Sequence, residues 1–420
     1  MKQDGPRLLL VAATTGYQTR AFAEASERIG VEAVLATDRC HILEDPWADR
    51  AIAVRFEDPE RSAAKIEGAY DGVIAVGDGP TVLAALAAER LGLRYGPRAA
   101  VEACRNKFTA RSLYRDAGMR VPEYFRAAVE AGPAPAAARA AYPCVLKPLG
   151  LSGSRGVIRA NDREEFEAAF RRIAALLERP EVRRTLGERG RELLVESYIE
   201  GHEFALEGLV ADGRLQVLAL FDKPDPLEGP YFEETIYVTP SRMEARAQAE
   251  MARAAQEAVR ALGLRHGPVH IEMRYNGAGA WILEVAARPI GGLCARVLRF
   301  EGGITLEEVL IRHAVGQAVG EVQLAGPAAG VMMIPAPGEG IYSGVDGEDE
   351  ARAIAGIEQV AITAKAGQKI VPLPDGNSYT GFLFARGGTP EEVEQALREA
   401  YGRLRFRIAA TLPVVSGPVD

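Results

Sequence analysis

Glu272 and Glu284 are spaced so that a hairpin centred near Ala278 would set them directly opposite each other, within 270-HIEMRYNGAGAWILEVAARP-289. Side chains paired across strands start roughly 5 Å apart, so two carboxylates there repel unless a cation or cationic ligand lies between them. The same alternation puts His270, Glu272 and Arg274 on one face with Glu284, Ala286 and Arg288. Ile271, Met273, Ile282, Val285 and Ala287 take the other, which makes one face charged and the other core. Upstream, 144-CVLKPLGLSGSRGV-157 reads as a short apolar strand ending in Lys147, then a loop of Gly150, Ser152, Gly153, Ser154 and Gly156. Such a backbone can approach phosphate oxygens, and an ammonium is a compact phosphate clamp. The two stretches together suggest a magnesium-nucleotide site. Each has a plainer reading as well, a solvated acidic hairpin face and an ordinary strand-end lysine.

Such side chains need a scaffold. Leu8 to Val11 reads as a short buried strand, followed by Ala12-Ala13-Thr14-Thr15-Gly16 and a helix from about Thr19 to Ile29. Val31 to Leu35 repeats the strand, and Asp71 to Val76 leads through Gly77-Asp78-Gly79-Pro80 into a helix ending near Gly92. This alternation predicts a Rossmann-like layer, though no G-x-G-x-x-G follows the first strand and no dinucleotide is assigned. Asn106-Lys107 opens a helix that stops at Gly118, and the Ala/Pro-rich stretch from Ala127 to Ala141 reads as a surface connection. A charged helix spans about Arg163 to Leu177, and 194–224 alternates like antiparallel strands joined at Asp212-Gly213. The Ala-rich helix Glu244 to Leu262 carries Met251, Ala258, Val259 and Leu262 on one stripe.

Beyond Gly302 come a helix and short strands around Val331 to Ile334, Val360 to Ile362, Ile370-Val371 and Tyr379 to Ala385. A last helix is opened by Thr389 as N-cap, with Pro390 first and Glu392 third. This reads as a separate α+β lobe without a catalytic signature. The chain thus divides into 1–105, a core at 106–302 whose lid subdomain covers about 122–195, and 303–420.

With 420 residues, 48% hydrophobic and 26% charged, the chain should form sizeable cores, and a net charge of −8 gives no reason to expect nucleic acid. Cys40, Cys104, Cys144 and Cys294 lack paired spacing, which suits reduced thiols, with Cys104 and Cys144 as buried small hydrophobes. His41, His202, His266 and His313 form no metal spacing. No apolar run approaches the ~18 residues needed to span a membrane, and the N-terminus enters a strand rather than a signal peptide, so the expected location is cytoplasmic.

In this order the residues resemble the ATP-grasp superfamily of carboxylate-amine ligases, in pattern over roughly Arg7 to Arg299 and specifically at Lys107, 147–157, 196–203 and 270–292. The resemblance implies a mixed α/β and α+β protein: a Rossmann-like N-terminal domain, a two-lobed ATP-grasp fold and an α+β C-terminal lobe. It implies that Lys107 and Lys147 hold ATP phosphates beneath a lid of Ser152, Gly153, Ser154, Arg155 and Gly156. Glu196 and the backbone near Tyr198 would meet adenine, Glu203 the ribose hydroxyls, and Glu272 with Glu284 a magnesium ion, manganese being the substitute. Arg288 would contact the transferred phosphate, Gly291 and Gly292 an oxyanion, and His270 either substrate or Glu272. Glu234 is a candidate for a substrate ammonium and Arg296 for an anionic substrate group.

One departure is Ala286, where the superfamily pattern has Asn; alanine cannot ligate, so a second ion would need Glu284 to bridge, or more water. That change, and 376-GNSYTGFLFARG-387, are similar to the L-amino-acid ligase branch. The expectation is ligation of a small-molecule carboxylate to an amine through an acyl phosphate, in a homodimer. The rivals are a purine-synthesis ligase or carboxylase, and a nucleotide-responsive binding protein without catalysis.

Overall fold

The computed structural model describes residues 5–13, 18–38, 51–376 and 379–410. The expected loop at Thr14 to Gly16, with Cys40 and His41, lies outside them. Short apolar runs without alternation make strands covered on both faces, and four of them form the first sheet. These are β1 (Arg7–Ala12), β2 (Glu32–Thr37), β3 (Ala51–Ala53) and β4 (Gly72–Val76), all parallel in the order β3-β2-β1-β4. The helix Thr81–Leu91 that follows β4 ends on Gly92 at φ 68°, the left-handed stop expected there.

A second sheet, antiparallel in the order β5-β8-β6-β7, comprises β5 (Tyr124–Ala128), β6 (Cys144–Pro148), β7 (Ile158–Ala160) and β8 (Glu192–Ser197). The helix Arg163–Leu177, capped by the Asp162 carboxylate, buries Phe166, Phe170, Ile173 and Leu177 against it. The stretch read as a surface connection holds the end of β5 and a short helix, Pro133–Arg139, whose Ala136 and Ala137 enter the same core. Its prolines suggested a break, but Pro at the first helical turn costs no hydrogen bond.

The central sheet has eight antiparallel strands. β9 (His202–Ala211), β10 (Arg214–Lys223), β11 (Ile236–Thr239), β12 (Gly267–Asn276) and β13 (Gly279–Ala286) lie in the order β13-β12-β9-β10-β11, and the strands Ala328–Pro335, Tyr379–Gly387 and Ile357–Ile362 continue it. Three of the C-terminal strands therefore share this sheet, while Gly340–Asp346, Lys369–Ile370 and Arg405–Ala409 form a three-stranded sheet of their own. The link to the shared strands is β11, four residues that the sequence reading passed over. Ile236 and Val238 turn one way into a core shared with the helix Pro390–Arg403, and Tyr237 turns the other way. On the opposite end of the sheet the helix Ala245–Leu262 buries Met251, Ala258, Val259 and Leu262 with Ile271, Met273, Ile282 and Val285.

The β12–β13 hairpin turns at Gly277-Ala278, with Asn276 opposite Gly279. That centre is half a residue off the expected one, and a bulge at Leu283 absorbs the difference. Glu272 consequently faces Glu284 as expected, while Arg274 faces Trp281. Asn276 fixes the turn, its Oδ1 accepting from the Ala278 N–H at 2.9 Å and from Trp281 Nε1 at 3.1 Å.

Gly201, between β8 and β9, sits at φ 115°, where an added Cβ would lie 2.4 Å from the Tyr275 carbonyl oxygen. Gly201→Ala is expected to destabilise by roughly 1–3 kcal/mol, since both the backbone angle and the contact are unfavourable. A thermal midpoint equal to that of the parent would contradict this.

Candidate active site

One cavity between the lid sheet and the central sheet is lined by Lys107, Lys147, Ser152, Gly153, Ser154, Glu196, Tyr198, Glu203, Glu234, His270, Glu272, Arg274, Glu284, Ala286 and Arg288. Its volume is about 90 Å³. Ligand clefts usually offer ~300 Å³ or more, so a nucleotide requires the lid and the paired side chains to part.

Lys147, at the end of β6, contacts the Glu196 carboxylate on β8. Glu196 also accepts from Arg111 Nε at 2.9 Å and Nη2 at 3.4 Å, while Arg111 Nη1 donates to the Ile282 carbonyl at 2.8 Å. Burial would raise the Glu196 pKa, but Arg111 and Lys147 outweigh it and bring it to about 2. Burial, with Arg111 and Lys107 nearby, lowers that of Lys147. Glu196 is thus a buried anchor for Lys147, and it lines the cavity with a carboxylate already committed to two cations. Arg111 was missed because a charge within a helical run reads as solvated.

Glu203 is similarly committed. Its Oε1 accepts from Lys223 Nζ at 2.9 Å and its Oε2 from Arg274 Nε at 3.2 Å, so a ribose hydroxyl would have to share these oxygens. Arg274 also donates to the Tyr198 hydroxyl at 2.8 Å and the Ile199 carbonyl at 2.7 Å, tying the β8–β9 connection to the hairpin. Lys223 reaches Glu234 at 2.6 Å and Glu272 at 3.9 Å. Burial and the Glu272 charge raise the Glu234 pKa to about 7 against the pull of Lys223.

Glu272 is buried enough to favour its neutral form, yet Lys223 and His270 hold its carboxyl well below the usual range. His270 Nδ1 lies 2.5 Å from Glu207 and its Nε2 3.5 Å from Glu272. Burial opposes its charge, but Glu207 and Glu272 raise its pKa to about 9, so the ring is an imidazolium that orients Glu272. Glu207, which the sequence reading did not single out, also accepts from the Ile290 N–H at 3.1 Å.

Glu284 pairs with Lys107 at 3.0 Å, and the same ammonium donates to the Leu151 carbonyl of the lid loop at 2.8 Å. Glu272 and Glu284 remain 25% and 26% exposed, toward the cavity. Glu203, Glu234 and Glu272 each offer an oxygen within 4.8 Å of the others. Hard oxygen donors of this kind fit magnesium, with Lys223 neutralising the inner pair and the hairpin pair left for the ion.

Arg288 is gripped by Asp78, Nε at 3.0 Å and Nη2 at 3.2 Å, and the guanidinium holds the Asp78 carboxyl below its usual range despite burial. Asp78 sits just past the C-terminal end of β4, where open α/β sheets bind ligands, and that position was the available signal for it. Arg155, Gly156, Gly291, Gly292 and Arg296 are not in the cavity wall. Arg296 is exposed, bonded to Gln359 at 3.1 Å, and so is no anchor for a substrate in this cavity. Ile290, just before the glycine pair, is held at its N–H by Glu207 and at its carbonyl by Gln18.

The lid is tied instead to the C-terminal region. Gly156 N–H donates to the Pro374 carbonyl at 2.9 Å and Arg155 Nε to the Asp375 carbonyl at 3.0 Å, while Arg172 grips the Asp375 carboxylate at 2.7 and 3.2 Å. Asp375→Asn is expected to loosen this tie and raise cleavage of the 150–156 loop in limited proteolysis several-fold. An unchanged cleavage rate would remove Asp375 from control of the loop.

Burial pushes the Cys144 thiol up to about 12, consistent with its packing as a small hydrophobe; Cys104 and Cys294 are buried in other parts of the core. No helix among the described residues is long and apolar enough to cross a membrane.

Residues 140–297 match the ATP-grasp domain family, and residues 332–409 match L-amino acid ligase C-terminal domain 2. An L-amino acid ligase from Bacillus licheniformis superposes with a TM-score of 0.82 at 27% identity, over 97% of this chain and all of that one. Alanine--anticapsin ligase of Bacillus subtilis (strain 168) is 29% identical over 249 residues, 54% of this chain and 50% of its own length. An uncharacterized protein of Sinorhizobium fredii is 25% identical over 309 residues, 74% of this chain and 62% of its own length. The chain therefore spans about half to three-fifths of these curated relatives. With both domain matches, a full-length structural counterpart and one cavity gathering Lys147 and the paired glutamates, the chain is an ATP-grasp protein of the L-amino acid ligase branch.

Proposed function

We propose that this protein joins the carboxylate of an amino acid to an amine, most simply that of a second amino acid, with ATP converted to ADP and phosphate. The observation that carries the reading is the facing pair Glu272 and Glu284 sharing one cavity with Lys107, Lys147 and Arg288. Phosphoryl transfer asks chiefly for positioning and charge neutralisation, and no covalent nucleophile is required. Lys147, fixed by Glu196 and Arg111, and Lys107, poised between Glu284 and the lid, would meet phosphate oxygens. Glu272 and Glu284 would hold magnesium, which supplies charge neutralisation at the transferring phosphoryl group. Arg288 would turn from Asp78 to that group.

The substrate carboxylate attacks the γ-phosphorus, the bond to the ADP oxygen breaks, and an acyl phosphate results. The amine lone pair then attacks the acyl carbon, the C–N bond forms, and phosphate leaves with the C–O bonding pair while the nitrogen loses a proton. The backbone at Gly291-Gly292 is proposed to stabilise the oxyanion, which requires it to approach the cavity as the lid moves. Ala286 leaves one side of Glu284 without a further ligand.

The test is release of ADP and phosphate with Mg²⁺-ATP across amino acids singly and in pairs, with mass spectrometry of the products. Release stimulated by a pair and accompanied by a condensed product supports the reading. Stimulation by none of them, with ATP bound, would move the assignment to a carboxylate of another class.

A further inference from the structure

We infer that the segment 224–235, which joins β10 to β11, is a latch on the cavity, and that a nucleotide enters only when the middle of the segment parts from the lid; this rests on the nucleotide reading of the site. The ends of the segment belong to the central sheet. Lys223 ends β10, Ile236 begins β11, and Asp225 is held at 2.5 Å by Arg398 of the helix Pro390–Arg403. The middle is fastened to the lid instead. Tyr231 bridges to Ile158 of β7, the Arg159 N–H donates to the Pro230 carbonyl at 2.9 Å, and Arg159 Nη1 donates to the Glu228 carbonyl at 2.8 Å. From the lid helix Arg163–Leu177, Arg172 Nη1 donates to the Tyr231 hydroxyl at 2.8 Å.

The segment therefore crosses the seam between the two sheets that enclose the cavity, and it packs into that seam. Leu227 and Phe232 are buried against Val145 of β6, with Val157 and Tyr198 beside them, and all but Leu227 are cavity wall. Arg274 of β12 donates to the Leu227 carbonyl, which holds the inner side of the segment down on the hairpin. With the segment so placed the cavity has about 90 Å³, and a nucleotide needs several times that. The lid cannot draw away from the central sheet while β7 is fastened to a segment anchored at both ends in that sheet. The Arg159 and Arg172 hydrogen bonds lie at the exposed surface, where water replaces them at low cost, so they release and re-form. A latched population that excludes the nucleotide lowers its apparent affinity by the open fraction.

The experiment measures binding of a ribose-labelled fluorescent ATP analogue with Mg²⁺ by stopped flow, for the unaltered chain and for Arg159→Ala and Tyr231→Phe separately. Each variant removes one side-chain fastening and leaves the cavity wall as it is. The association rate constant is expected to rise about threefold to tenfold in each, the scale of one hydrogen bond, with Kd falling by the same factor and dissociation unchanged. Tyr231→Phe deletes a single hydroxyl and keeps the ring, so it carries the test if Arg159→Ala folds poorly. Unchanged association in the folded variants, or dissociation rising in step with association so that Kd stays constant, overturns the latch alone. No binding of the analogue to the unaltered chain overturns the nucleotide reading and the latch with it.

Discussion

Glu272→Gln is expected to lower ATP-dependent product formation on the order of 10³-fold, the scale seen when a preorganised electrostatic contact to a transition state is removed. Glu272 is the one carboxylate common to the hairpin pair and to the three-glutamate cluster, with His270 at 3.5 Å and Lys223 at 3.9 Å on either side. Glutamine keeps the shape and removes the charge. It leaves the imidazolium of His270 and the ammonium of Lys223 without one of their anions, and it deprives a divalent ion of a hard ligand. Single-turnover release of ADP should show the loss in the chemical step, with the fold intact by circular dichroism. A variant retaining a tenth or more of the parent rate would shift the metal role to the other glutamates.

Arg111→Met carries the largest expected stability effect, a loss of about 3–5 kcal/mol, the usual cost of removing one partner of a buried ion pair. Arg111 and Glu196 are each 2% exposed, and methionine fills the stem but leaves the Glu196 charge to Lys147 alone. The pH dependence follows from the direction of the Glu196 shift. Its folded pKa, about 2, lies below the ordinary 4.5, so the stabilisation is fully present above pH 4.5 and is lost as pH falls through about 2. The difference in thermal midpoint between parent and variant should therefore be full at neutral pH and narrow between about 4.5 and 2. A constant difference across that window, or none at pH 7, would show that Glu196 is not held by Arg111.

The facing of Glu272 and Glu284 was legible because strand side chains alternate with period 2 and the charged and apolar sets separate cleanly. The Leu283 bulge was not, since a leucine among Ile282, Glu284 and Val285 suits either face. Lys147 and its loop were legible from local order alone. The partners that commit Glu196 and Glu203 were hidden by distance along the chain: Arg111 lies 85 residues from Glu196, and Arg274 71 from Glu203. Nothing in a single sequence pairs charges so far apart. Asp78 had a positional signal at the end of a parallel strand but no motif around it. Lys223 read as the end of an alternating strand, and only the fold sets three glutamates around it.

The two domain matches end and begin at residues 297 and 332, as though marking separable modules. The sheet denies that. Four rungs, Ile236 to Thr239 against Met332 to Ala329, stitch β11 to the strand beyond the gap. Cutting the chain there would expose β11 as an unprotected edge and uncover Ile236 and Val238, the kind of surface that recruits strands from other molecules. Recombination between relatives at that seam would have to preserve the register of those rungs, because the C-terminal region supplies three of the eight strands of the central sheet.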